Sequence, residues 1–128
     1  MTQKEAISYW KKSAEENRKA AEDVFKANHP EWGFFLYHLA LEKLLKGLTT
    51  KKGVIPPPIH NLVNLCKVAG IKIDEQMKED LKEINDYNIE ARYEDYKRKY
   101  YQKVTNIEYG EKWQAICNNI FIWLKEKF

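Results

Sequence analysis

Three polar residues, His38, Glu42 and Lys46, recur every four positions in a stretch that is otherwise typical of an amphipathic helix. Side chains four residues apart are neighbours on one helical face, so an imidazole, a carboxylate and an ammonium group would stand in a row. His38 and Glu42 could form an acid/base pair, half of a metal site, or a hydrogen-bonded pair that fixes helix register or a dimer contact. No HxxxH or CxxC pattern supplies the further ligands that a metal needs. We prefer the hydrogen-bonded pair, with neither metal nor cofactor.

Glu42 is unusual because apolar residues share its helical face, near positions 35, 39, 41, 45 and 48. Burying an unpaired carboxylate costs several kcal/mol, so Glu42 needs a partner on another element or must line a wet cleft. Arg92 could be that partner if the fold brings the second and fourth helices together, since a guanidinium satisfies a carboxylate well. The alternative for Arg92 is a ligand-binding arginine.

A second histidine, His60, follows Pro56-Pro57-Pro58 at the predicted start of a short helix. Backbone N–H groups at a helix start favour anions, so His60 could contact a phosphate or a nucleotide. The alternative is a histidine that caps or packs the helix.

The positive charge is concentrated in residues 92–103, where five basic residues face two acidic ones and supply the whole net charge of +3. Tyrosines interleave with these bases. A single-stranded nucleic acid needs both, because its bases stack on aromatic rings and its phosphates meet cations, although tyrosines also cover the edges of helical cores. The four tryptophans are interpreted as packing residues. The candidate contacts are Tyr93, Tyr96, Tyr100, Tyr101, Lys97, Arg98, Lys99 and Lys103.

Five helices are predicted to position these residues. Asn28-His29-Pro30 ends the first helix, Gly70 stops the short third helix, and Asp74 caps the fourth. Residues 92–103 lack apolar periodicity and are predicted to form an ordered loop or a broken extension. The segment Thr105-Asn106-Ile107-Glu108 is typical of a capping box that opens the last helix. The predicted helices span residues 3–28, 31–50, 59–69, 75–91 and the stretch from 105 onward.

Length and composition predict one all-α domain over residues 1–128. The chain is long enough for a core without a metal or disulfide staple, and five glycines with four prolines disfavour a turn-rich β fold. Four long helices and one short helix with brief loops predict an antiparallel up-and-down bundle. Apolar residues surround more than half of the last helix, which predicts a homodimer.

The two cysteines lie far apart, the N-terminus has no signal-peptide pattern, and no apolar run is long enough to cross a bilayer. We therefore expect a cytoplasmic protein that does not enter a membrane.

Several motifs together resemble the HEPN family, whose name stands for higher eukaryotes and prokaryotes nucleotide-binding domain. The resemblance covers essentially the whole chain and implies a bundle of about five helices, usually a dimer, often encoded beside a minimal nucleotidyltransferase. Many relatives carry Gln where His38 stands. The motifs are Trp10 with small residues behind it, Leu-Glu-Lys-Leu-Leu-Lys at 41–46, Pro-Pro-Pro-Ile-His at 56–60 followed by Leu62 and Leu65, and Ala91-Arg92-Tyr93.

Toxin-type members of this family cleave RNA without a metal, using an Arg, then four to six residues, then a His. The only arginines here are Arg18, Arg92 and Arg98, and no histidine follows any of them at that spacing. The departure removes the group best suited to take a proton from a ribose 2′-hydroxyl near pH 7.

The sequence therefore predicts a non-catalytic HEPN-type module that binds a nucleotide or RNA, pairs with a small nucleotidyltransferase in a toxin-antitoxin-like arrangement, or does both. One alternative is a degenerate, metal-independent ribonuclease that uses His60 or His38 with Arg92 and nearby lysines. The other is a purely structural dimer. The catalytic candidates are His60 and Arg92, and the predicted ligand-binding residues are His38, Glu42, Lys46, His60, Arg92, Tyr93, Tyr96, Lys97 and Arg98.

Overall fold

Six α-helices make up the computed structural model, which describes the backbone of residues 1–128 and every side chain except that of Glu94. The described backbone contains no strand, so the all-α prediction is confirmed. No helix in the described part of the chain is both long and apolar enough to cross a membrane. The helices are α1 (Gln3–Lys26), α2 (Pro30–Lys51), α3 (Leu62–Val68), α4 (Glu75–Glu90), α5 (Glu94–Val104) and α6 (Ile107–Lys125).

Helices α1 and α2 pack side by side in opposite directions, joined by the short turn at residues 27–29. Glycines of α2 allow close approach at two levels, because a Cβ at Gly33 would lie 2.6 Å from the ring of Phe25. A Cβ at Gly47 would lie 2.9 Å from the ring of Phe128 and 3.0 Å from Trp10 Cβ. Pro30 occupies the first turn of α2, where its missing N–H costs nothing.

Helix α2 is the centre of the core and contacts each of the other five helices. Phe34, Leu41, Leu44 and Leu45 are fully buried along it. A helix that is covered on most sides has little room for polar side chains unless they are paired. The buried polar residues of α2 are therefore the first place to look for a functional site or a structural polar network.

The predicted ends of the short helices are largely confirmed. Asp74 caps α4 by accepting a hydrogen bond from the Met77 backbone N–H at 2.7 Å, and Gly70 takes a positive φ of 69° after α3. Helix α3 begins later than predicted, at Leu62, because the Asn61 side chain caps it by accepting from the Asn64 N–H. His60 therefore lies in the loop before α3 and not inside the helix.

Helix α5 replaces the predicted loop or broken extension at residues 92–103, and this prediction is wrong. Its inward face consists of Tyr100 and Val104, both buried, with Lys97 half-buried beside them. The Tyr100 hydroxyl donates a hydrogen bond to the Glu31 carbonyl at 2.5 Å and so satisfies its one polar group inside the core. A search for apolar periodicity misses this helix because an amphipathic tyrosine supplies its main buried contact.

Helix α6 begins one residue later than the predicted capping box. Asn106 is the N-cap and accepts from the Tyr109 N–H at 3.0 Å, whereas the Thr105 hydroxyl donates back to the Tyr101 carbonyl at the end of α5. Ile107 and Ile122 are the exposed large apolar residues of α6 within the described side chains. The homodimer inferred from this helix stays a prediction.

Candidate functional site

Four polar residues meet where α2 contacts the loop before α3; we call His38, Glu42, Lys46 and His60 the polar cluster. Glu42 is its centre, and its side chain is only 8% exposed. Its Oε2 accepts a hydrogen bond from Lys46 Nζ at 3.1 Å, and its Oε1 accepts one from His60 Nδ1 at 3.0 Å. The inward orientation expected for Glu42 is thus observed, and both carboxylate oxygens are satisfied.

His38 donates a hydrogen bond to the loop and forms none with Glu42, so the predicted hydrogen-bonded His38–Glu42 pair is wrong, and so is the acid/base pair. Its Nε2 lies 3.0 Å from the His60 carbonyl oxygen, and because a carbonyl only accepts, Nε2 carries the hydrogen. Burial lowers the pKa of His38 to about 4, against the raising effect of the Glu42 charge. The imidazole is therefore neutral at pH 7, and its Nδ1, 4.0 Å from Glu42 Oε1, has no hydrogen-bond partner among the described residues.

His60 is attached to α2 by two hydrogen bonds of opposite direction. Its ring donates from Nδ1 to Glu42, and its backbone carbonyl accepts from His38. The ring is nevertheless 62% exposed at the surface. This combination of a fixed ring and an open Nε2 is the most chemically distinctive feature of the polar cluster.

The opposite side of the polar cluster is closed by an aromatic ring. Lys46 Nζ lies 6.0 Å from the ring centroid of Trp10 on α1, so the ammonium group is covered by a π face as well as paired with a carboxylate. Within the described side chains, no group of three or more His, Cys, Asp or Glu residues is arranged to hold a metal ion.

The charge partner of Glu42 is Lys46 and not Arg92, so the predicted Arg92–Glu42 ion pair is wrong. Arg92 is exposed; its Nε donates to the Asn88 carbonyl at 2.8 Å, and its guanidinium lies 5.6 Å from the ring centroid of Tyr93. Its positive charge still acts on the polar cluster as a lesser cause, after burial, of the lowered pKa of His38.

A groove of about 680 Å³ lies between the first turn of α2 and helix α5; we call it the α5 groove. Two aromatic rings on its wall are open to solvent, Trp32 at 42% and Tyr101 at 55% exposure. Lys97 and Arg98 line the same groove. The remaining lining residues are Glu31, Ala91, Tyr100 and Gln102.

The tyrosine and lysine set predicted as a nucleic-acid surface is divided by the formation of α5. Tyr93, Tyr96 and Tyr101 are exposed, whereas Tyr100 is buried. Lys103 also turns inward, with Nζ 3.3 Å from Glu83 and 3.4 Å from Glu90. Arg98 and Lys99 stay exposed. The usable surface is therefore smaller than the sequence suggested and is centred on the α5 groove.

Two features of the site were missed by the sequence analysis. Trp32, interpreted as a packing residue, lines the α5 groove. A hydrogen-bonded relay also joins helices α4 and α6: the Tyr87 and Tyr109 hydroxyls are 2.7 Å apart, and Tyr109 donates to Glu83 at 2.5 Å. Burial raises the pKa of both tyrosines, so their hydroxyls stay protonated. The only signal of this relay in the sequence was the spacing of Glu83 and Tyr87, which are four residues apart and so lie on one face of a helix.

Comparison with known proteins gives one family. The model of the HEPN domain matches residues 7–127, which is nearly the whole chain. A search of curated proteins found no match. A search of solved structures found none either. Because the family model covers far more than half of the sequence, this chain belongs to the HEPN domain family.

Proposed function

We propose that this protein is a non-catalytic HEPN-type module that binds single-stranded RNA, one nucleotide of which occupies the α5 groove. Membership of the HEPN family supports a role related to nucleotides or RNA. The observation that carries the proposal is the α5 groove itself, in which two exposed aromatic rings stand beside basic side chains.

The dimensions and chemistry of the groove suit an unpaired nucleotide. Its volume of about 680 Å³ falls in the range of about 300–1,000 Å³ that is typical of ligand sites. Trp32 and Tyr101 offer flat π surfaces on which any base can stack. Arg98 lies on the same wall and can pair with the phosphate that follows the base.

Binding should be measured with a fluorescein-labelled oligoribonucleotide of about eight nucleotides, within the site sizes of about 4–16 nucleotides known for single-strand binders. We expect Trp32→Ala and Tyr101→Ala each to weaken binding by about 1–3 kcal/mol, the usual cost of losing one stacked base. Arg98→Gln should weaken binding and reduce the slope of log K against log salt by about 0.7, the value for one lost phosphate contact.

Two variants distant from the groove are matched controls. Tyr9 is 54% exposed, almost the same as Tyr101, but lies on α1 next to Trp10, which packs against the opposite end of α2. Lys4 is an exposed base in the first turn of α1. Tyr9→Ala and Lys4→Gln should leave affinity unchanged. Equal losses in the control and groove variants, or no binding of the oligonucleotide and of mononucleotides, would remove the proposal.

The ribonuclease alternative depends on His60, whose ring is oriented by Glu42 as a general base would be. General acid–base cleavage also needs a proton donor for the leaving oxygen. His38 is buried and committed to the His60 carbonyl, and His29 lies at the N-terminus of α2. A binding module is therefore the better account. Metal-independent cleavage of the oligonucleotide that is lost in His60→Ala or Arg92→Ala would reverse this preference.

Pairing with a small nucleotidyltransferase and assembly as a homodimer are further proposals that rest on the family resemblance. Copurification with the product of a neighbouring gene and the mass of the particle in solution would test them separately. If the protein proved to be a monomer that binds RNA, the proposal of a binding module would stand and the proposal of a homodimer would be wrong.

A further inference from the structure

A surface histidine in the loop before α3 is oriented as a nucleophile. His60 Nδ1 lies 3.0 Å from Glu42 Oε1, and since a carboxylate only accepts hydrogen bonds, Nδ1 carries the hydrogen. In the neutral ring the lone pair is therefore on Nε2. The ring is 62% exposed, and no described residue forms a hydrogen bond with Nε2. The nitrogen that can react is the one left open.

The surroundings keep this ring in place. Glu42 cannot turn away easily because its second oxygen is bound by Lys46 at 3.1 Å and its side chain is buried. The backbone of His60 is fixed separately, since its carbonyl accepts the hydrogen bond of His38 at 3.0 Å. A carboxylate that accepts from one imidazole nitrogen fixes the tautomer and the orientation of the ring, so the lone pair stays on the other nitrogen.

We propose that His60 is a phosphoryl-acceptor site, modified at Nε2 by a donor of the N-phosphoryl class. The Nε2 lone pair forms the new N–P bond while the P–N bond of the donor breaks, and its electron pair leaves with the amine. The phosphorylated ring becomes cationic without losing a proton. Its Nδ1–H then faces the Glu42 carboxylate, which stabilises the positive charge that develops during attack.

The charge around His60 favours an anionic phosphoryl group over a neutral electrophile. The exposed Arg92 is close enough for its charge to act on His38, which contacts the His60 loop. Cations at a surface raise the local concentration of a phosphorylated donor. This inference does not depend on RNA binding in the α5 groove.

Phosphoramidate, a small N-phosphoryl donor, provides the test, and the protein contains its own control. His29 is 60% exposed, nearly equal to His60, but its Nδ1 is 3.4 Å from the less buried Glu31 carboxylate. The intact protein is incubated with phosphoramidate at a pH of about 8, above the reference pKa of imidazole. Peptide mass spectrometry then gives the rate at each histidine. We expect His60 to be labelled several-fold faster than His29.

Two further results distinguish reactivity that comes from the orientation of the His60 ring by Glu42 from reactivity that comes from its exposure alone. Nuclear magnetic resonance of the labelled protein should show the phosphoryl group on Nε2 of His60 and not on Nδ1. Glu42→Gln should lower the rate at His60 towards that of His29, with the rate at His29 unchanged. Equal rates at the two histidines in the wild-type protein, or attachment at Nδ1, would overturn the proposal even if the Glu42→Gln variant failed to fold.

Discussion

His38 on α2 donates a hydrogen bond from Nε2 to the backbone carbonyl of His60 at 3.0 Å, across 22 positions of sequence. This bond fixes the proline-rich loop on the central helix while the same loop returns a hydrogen bond from the His60 ring to Glu42. The loop is therefore held to α2 at the backbone of His60, by the hydrogen on His38 Nε2, and at the side chain of His60, by the hydrogen on its own Nδ1.

The first prediction concerns the pH dependence of stability through His38. Its pKa is lowered by burial to about 4 in the folded protein, whereas an unfolded histidine has a pKa of about 6.5. Between these values the unfolded state binds more protons, so stability falls as pH decreases. The fall amounts to at most about 3 kcal/mol, reached near pH 4. This decrease is measured by urea unfolding of the wild-type protein and the His38→Gln variant at several pH values.

His38→Gln keeps a hydrogen-bond donor for the His60 carbonyl but cannot titrate, which makes it the matched variant. The other groups that act on His38, namely Glu42, His60 and Arg92, are the same in both proteins. The difference between the two stability curves therefore isolates His38. We expect the variant to lose less stability than wild type between pH 6.5 and 4, and parallel curves would contradict the burial argument.

The second prediction tests whether Lys46 neutralises Glu42. Lys46→Met keeps the apolar stem but leaves a buried carboxylate without its cation, and we expect a loss of about 2–3 kcal/mol in the free energy of unfolding. Adding Glu42→Gln removes the unpaired charge and should recover about 1 kcal/mol of that loss. Chemical denaturation at pH 7 measures both.

A lysine of α3 provides the control for this pair. Lys67 is exposed, so Lys67→Met should change stability by less than about 0.5 kcal/mol. A double variant no more stable than Lys46→Met would mean that the positive charge of Lys46 contributes little to the fold.

The burial of Glu42 could be predicted from sequence, but its partners could not. The apolar residues around position 42 place the side chain on an inward face whatever the tertiary structure. The partner depends on how the loop before α3 folds back, and Arg92 was preferred because a guanidinium fits a carboxylate best. Lys46, only one turn away on the same helix, proved close enough at 3.1 Å.

The α5 groove shows where sequence reasoning failed for a different reason. Periodicity of apolar residues does not reveal α5, since Tyr100 supplies much of its buried face. Without α5, nothing predicts a groove next to the start of α2, and Trp32 was assigned to packing. The basic and aromatic composition of the segment is plain from the sequence, whereas its division into buried and exposed side chains required the helix.

The third prediction concerns the contact between α1 and α2. Gly33→Ala would place a methyl group 2.6 Å from the ring of Phe25, which already packs against Phe34. Overpacking of this kind outweighs the better helix propensity of alanine, so we expect a net loss of about 1–2 kcal/mol. At Gly110 on α6 the new methyl would meet only ordinary contacts, the nearest at 3.5 Å. For Gly110→Ala the higher helix propensity of alanine should therefore prevail. We expect the free energy of unfolding, measured by thermal or chemical denaturation, to rise by about 0.5–1 kcal/mol.

The fourth prediction ranks the members of the tyrosine relay. Tyr109 is its middle member, because its hydroxyl donates to Glu83 and accepts from Tyr87. Tyr109→Phe leaves the buried Tyr87 hydroxyl without this partner and should cost about 1–3 kcal/mol. Tyr87→Phe should cost less, since Tyr109 still donates to Glu83 and no buried donor is left unpaired. Tyr9→Phe, at an exposed ring, should change stability by less than about 0.5 kcal/mol. If Tyr87→Phe proved as costly as Tyr109→Phe, Tyr109 would not be the middle member of the relay and this ranking would be wrong.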